Sequence, residues 1–102
     1  MAIYSFEKSI HKTAQPSVVD TLDFNTGLLG GEMAFVNRSP TPDLYFTTNA
    51  AGGSTAPVPT VDGDETFVVP AGAVFRNSFG WVITEAKVVA ASSTDYSVEL
   101  LV

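Results

Sequence analysis

The chain has 102 residues, no cysteine and a single histidine, His11. A chain of that length suits one domain and buries roughly 60–70% of its unfolded surface, while the missing thiols exclude a disulfide framework, a zinc–thiolate centre and thiol catalysis. Five Lys+Arg against eleven Asp+Glu leave a net charge of −6, which argues against nucleic acid or an anionic membrane as a partner.

In chain order, residues 3–10 alternate with Tyr4, Phe6 and Ile10 on the more apolar side, which predicts a strand turning those three toward the core. Residues 1–12 also suit an extended arm. Acid and base interrupt the apolar residues of MAIYSFEKSIHK, so no signal-peptide pattern is present. The longest strictly apolar runs, such as residues 88–91, fall far short of the ~20 needed to span a bilayer. The expectation is synthesis and folding in a cytoplasm. Pro16 opens a second run, where Val18, Leu22 and Phe24 alternate with Val19, Thr21 and Asp23. Asp20 breaks the apolar side of that run, which predicts a strand at a sheet edge or with one wet end. Gly27, Gly30 and Gly31 punctuate the next loop. Residues 33–36 form a short strand, apolar on both sides, that stops at Asn37-Arg38-Ser39-Pro40.

Residues 44–48 are aromatic and Thr-rich, a composition suited to a pleated surface. Residues 49–64, NAAGGSTAPVPTVDGD, have no helical period; loops this long usually bind something or stay mobile. A strand resumes at 66–69, Pro70-Ala71-Gly72 makes a tight turn, and Val74-Phe75 is followed by a further turn signal, Arg76-Asn77-Ser78. Residues 84–91 include good helix formers, but the preceding Trp81-Val82-Ile83, the Val88-Val89 pair and the lack of a stop signal favour a strand over 81–89. Tyr96, Val98, Leu100 and Val102 alternate to the terminus. Seven to eight short strands with turns about every ten residues predict a single all-β domain over 1–102, an antiparallel β-sandwich with jelly-roll-like topology.

No sequence motif of a hydrolase, metalloprotease or phosphate-binding loop occurs, so the chain reads as a non-enzyme without a cofactor. Asp62, Asp64 and Glu65 offer a weak calcium candidate beside Gly63, without the spacing of an EF-hand loop. The alternative is an Asp62-Gly63 turn with solvated acids. Phe75, Arg76, Asn77, Phe79 and Trp81 crowd three aromatics, an Arg and an Asn into seven residues. That composition suits an interface hot spot or a sugar site, where rings stack on pyranoses and Arg and Asn bond hydroxyls. The alternative is that Phe75 and Trp81 are core. His11 lacks any orienting neighbour in the sequence. Charged residues make up 16% of the chain, against about 25% in an average domain, and mean hydropathy is +0.21. So little charge on a small domain points to surface buried against other proteins; an uncharged Thr/Ser/Asn coat is the alternative.

The stretches TFVVPAGAVF (66–75) and ASSTDYSVEL (91–100) resemble small virion proteins of tailed bacteriophages, which often carry a strand, PAG turn, strand unit and end on a strand. The resemblance implies a structural virion subunit, a capsid decoration (cement) protein or a tail or baseplate component, assembling with itself as a trimer and on a major capsid or other virion protein. It carries over no catalytic or ligand residues. The contacts expected are the N-terminal segment (Ile3, Tyr4, Phe6), adding as a strand to a neighbour's edge, the 49–64 loop, and the 75–81 turn. A carbohydrate- or receptor-binding module using Trp81, Phe79, Arg76 and Asn77 is the competing expectation.

Overall fold

Alternating apolar residues can be buried only if two sheets face each other, and the chain folds that way. The computed structural model describes residues 2–6, 8–28, 32–78 and 80–101, and among these the chain forms nine strands. They are β1 (Ala2–Phe6), β2 (Ser9–Ala14), β3 (Asp20–Leu28), β4 (Glu32–Asn37), β5 (Leu44–Thr48), β6 (Phe67–Val69), β7 (Val74–Ser78), β8 (Ile83–Ala90) and β9 (Thr94–Leu101). One sheet has the order β1-β3-β8-β5-β6 and the other β2-β9-β4-β7. Antiparallel pairs nest as β2 with β9, β3 with β8, β4 with β7 and β5 with β6. The chain is thus a long hairpin rolled up around itself, a jelly roll, with β1 added parallel to β3 at one edge.

Leu22, Phe24, Leu44, Phe46, Val69 and Val88 from the first sheet meet Ile10, Met33, Phe35, Tyr96, Val98 and Leu100 from the second. The Phe35 and Phe46 rings stack across the two sheets with centroids 3.8 Å apart. The radius of gyration, 12.2 Å, is close to the ~13 Å of a compact domain of this length.

Several sequence expectations are corrected. Residues 3–10 are not one strand: Tyr4 packs on the core from the first sheet and Ile10 from the second, so the chain crosses the sandwich between them. Residues 2–6 and 9–12 are therefore not a free arm; β1 adds to its own chain's β3, and β2 contributes Ile10 and Ala14 to the core. β3 lies between β1 and β8 rather than at an edge, and Asp20 is 3% exposed. Its carboxylate accepts the Tyr96 hydroxyl at 2.7 Å, which lets an acid occupy the inward row. Arg76, Asn77 and Ser78 continue β7 instead of forming a turn, held by pairing with Ala34, Met33 and Glu32 of β4. The Pro70–Gly72 turn is as expected: Ala73 N–H reaches Pro70 O at 2.9 Å, and Gly72 supplies the positive φ (73°) that this turn requires. Residues 84–90 are strand, not helix.

Candidate interaction surface

The sandwich has two open sides, and they differ. On one, β1 and β2 are the sheet edges, and Lys12 from β2 lies over the Tyr4 ring of β1, 4.3 Å from its centroid, closing the gap with a cation–π contact. On the other, β6 and β7 are the edges, joined by the Pro70–Gly72 turn. There the core aromatics run out to the surface: Phe46 touches both Phe67 and Phe75, with centroids 5.2 and 5.1 Å apart, and Phe67 and Phe75 lie at 5.5 Å. Phe67 is 45% exposed, Val68 45% and Val74 51%. Ile3 on β1 is 69% exposed, so four of the six large apolar side chains standing exposed among the described residues belong to edge strands. Apolar groups on unpaired edges are what most monomeric sandwiches avoid.

The expected contact residues divide. Ile3, Arg76 and Asn77 are exposed on edge strands. Tyr4, Phe75 and Trp81 pack against the core, and the Trp81 indole N–H donates to Asn49 O at 2.8 Å, so the ring does not stand free as a sugar platform. Phe79 and the Phe6 side chain lie outside the described residues. Phe67, Val68 and Val74, which sequence reading did not single out, carry most of the exposed apolar surface at the β6–β7 side. The signal available was Phe67-Val68-Val69, three apolar residues in a row where a one-faced strand would alternate.

The 49–64 loop is held down along its length. Asn49, fully buried, donates Nδ2–H to the carbonyls of Ala50, Gly53 and Val82 and accepts on Oδ1 the N–H groups of Thr84 and Glu85. Glu85 and Lys87 form an ion pair at 2.9 Å, and between them they hold Ala56 by its N–H and its carbonyl. Thr47 donates to Pro57 O, and Tyr45 donates to Asp62 at 2.6 Å. The Asp62 bond and burial push the Tyr45 phenol up to about 12. The loop thus seals the outer face of β5 and β8, burying Thr47, Lys87 and Val89 there.

The acidic trio does not converge. Asp62 sits at φ 60° in a Thr60–Gly63 turn with its carboxylate taken by Tyr45, while Asp64 and Glu65 line a cleft of about 320 Å³ between the loop and Thr47. Among the described residues no group of three His, Asp or Glu is placed to hold a metal ion. His11 does have an orienting partner, unseen in sequence: Ser97 Oγ lies 2.6 Å from its Nδ1 and accepts Arg38 Nε–H at 2.8 Å. His11 also lines a cleft with Lys8, Ser9 and Glu99. Ser97 is 2% exposed, and His11, Ser97 and Arg38 tie β2, β9 and the chain after β4 together.

No protein-family model matches the chain, and no curated protein sequence matches it. Among solved structures, that of PirA is similar with a TM-score of 0.54 at 13% identity, over 95% of this chain and 96% of that one. At that identity the likeness is one of fold, and it extends over the whole jelly roll.

Proposed function

We propose that this chain is a non-catalytic structural subunit that acts by covering and bracing a larger protein assembly, in the form of a decoration subunit on the particle of a tailed bacteriophage. The observation that carries the reading is the set of exposed apolar side chains on unpaired edge strands, Phe67, Val68 and Val74 above all, in a chain with few charges to keep such edges solvated. Burying apolar area across neighbouring subunits raises the free energy needed to separate them, and repeated copies add avidity without tight single contacts. The loop clamps and the Arg38–Ser97–His11 chain support the reading as rigid scaffolding, since a brace must resist deformation. The test is made on particles from the genome that encodes the chain. The protein is expected to co-purify with them through a density gradient, and particles lacking it are expected to release their genome at lower temperature. A protein that stays in the soluble fraction of the lysate overturns the reading.

A further inference from the structure

We infer that two copies of this chain join through β7, pairing antiparallel about a two-fold axis at Phe75, so that the β2-β9-β4-β7 sheet continues from one copy into the next. The inference rests on the assembly reading above and specifies its self-contact.

The ladder decides which backbone groups are available. Asn37 N–H bonds Ala73 O at 3.0 Å, whereas Arg38 N–H bonds Asp95 O of β9. The odd-numbered residues at this edge of the sheet therefore bond between β4 and β7, and Val74, Arg76 and Ser78 direct their N–H and C=O groups away from β4, at the free edge. A row of alternating donors and acceptors is complementary to itself when turned antiparallel. With the axis at Phe75, Val74 of one copy lies opposite Arg76 of the other, and each such pair exchanges both of its main-chain hydrogen bonds. Moving the axis to Arg76 would set guanidinium against guanidinium across the same face, a destabilising cross-strand pair. At Phe75 the aliphatic stem of Arg76 instead covers exposed Val74.

Charge selects a second copy as the occupant. The run from Phe67 to Ser78 contains Arg76 and no Asp or Glu, in a chain whose eleven acids all lie elsewhere. The acids that touch the run are engaged with it: Asp43 accepts Ala71 N–H at 3.1 Å, and Glu32 lies 4.0 Å from Arg76. Two copies of a −6 chain meet here without setting acid against acid. The same two-fold brings the two β6 strands toward each other across the axis, under the joined sheet, where the exposed Phe67 of one copy faces that of the other. At the opposite edge Lys12 already covers the Tyr4 ring, and Ile3 is the large apolar side chain that stands exposed there.

Sedimentation velocity on the full chain, from micromolar to millimolar concentration, tests the pairing with two variants. Arg76→Pro removes an N–H that points to the free edge and spares the β4 ladder; Val74→Lys puts a charge on the edge without touching the backbone. The wild type is expected to form dimers, and both variants to remain folded by far-UV circular dichroism with complete loss of the dimer. If Arg76→Pro does not fold, Val74→Lys carries the test alone. A monomeric wild type across the range overturns the pairing, and so does a dimer that survives in a folded variant. Either failure leaves the covering of a larger particle to its own co-purification assay.

Discussion

Asp20 shows what one side chain can do to a sandwich core. Burial raises its pKa above the ordinary 3.8, while the Tyr96 hydroxyl and Lys12 pull it down by less. An acid with a raised folded pKa keeps its proton over a pH window in which the unfolded chain has lost it. Its contribution to stability is therefore largest below that window and declines as pH rises through it. The difference in unfolding free energy between wild type and Asp20→Asn is expected to move that way: the variant gains on the wild type as pH rises from 4 toward neutrality. Denaturant titrations of both proteins at a series of pH values check it, and a difference independent of pH would contradict it. Tyr96 is held protonated by the same pair, its pKa raised by burial and by Asp20. Read along the sequence, Asp20 interrupts an apolar row and looks like an edge marker. Its partner lies 76 positions away, so no local pattern reveals that the carboxylate is satisfied inside.

At the scale of elements, the 49–64 loop is the place where composition and structure part. Gly, Ala, Pro, Ser and Thr without periodicity mark a loop correctly, but they do not say whether it is loose. The anchors are single polar residues outside it, on β5 and β8, plus Asn49 at its start. Asn49→Ala leaves several carbonyls and N–H groups without partners, and at about 1–3 kcal/mol for an unsatisfied buried group the variant is expected to lose roughly 3 kcal/mol in denaturant unfolding. Hydrogen exchange should show the Gly53 and Ala56 amides, bonded to Ala50 O and Glu85, protected in wild type and fast in the variant. Tyr45 adds a pH signature. Its stabilising bond to Asp62 is fully present below about pH 10, the ordinary phenol value, and is lost as pH rises toward about 12. Tyr45→Phe is expected to cost about 1 kcal/mol at neutral pH and to flatten that alkaline limb; an unchanged alkaline melting profile would show the bond to be idle. β9 was legible because its inward row, Tyr96-Val98-Leu100, alternates cleanly, and β8 because Trp81-Val82-Ile83 and the Val88-Val89 pair outweigh the helix formers between them. β7 was not, because a run of Arg, Asn and Ser resembles a turn until a neighbour pairs with it.

For the whole molecule, nested pairing has a consequence for truncation. β2 is paired with β9 near the far end of the chain, and Leu100 N–H reaches Lys8 O at 2.8 Å. Deleting residues 1–12 removes β1 and most of β2, uncovers an edge of β9 and takes Ile10 from the core, so the truncated chain is expected not to fold. A dispersed amide spectrum from that truncation would instead restore the idea of a dispensable arm. Length, alternation and turn residues by themselves determined an all-β sandwich, since period-two rows of apolar residues are buried between facing sheets. They also determined a surface poor in charge. Tertiary structure alone decided which strands became edges, that Phe75 and Trp81 turn inward while Phe67, Val68 and Val74 face out, and that Asp20, Asn49 and His11 find their partners. Each of those outcomes depends on residues brought together from distant positions by the rolling of the hairpin, and a pattern that repeats every two residues carries no information about which strand will lie alongside.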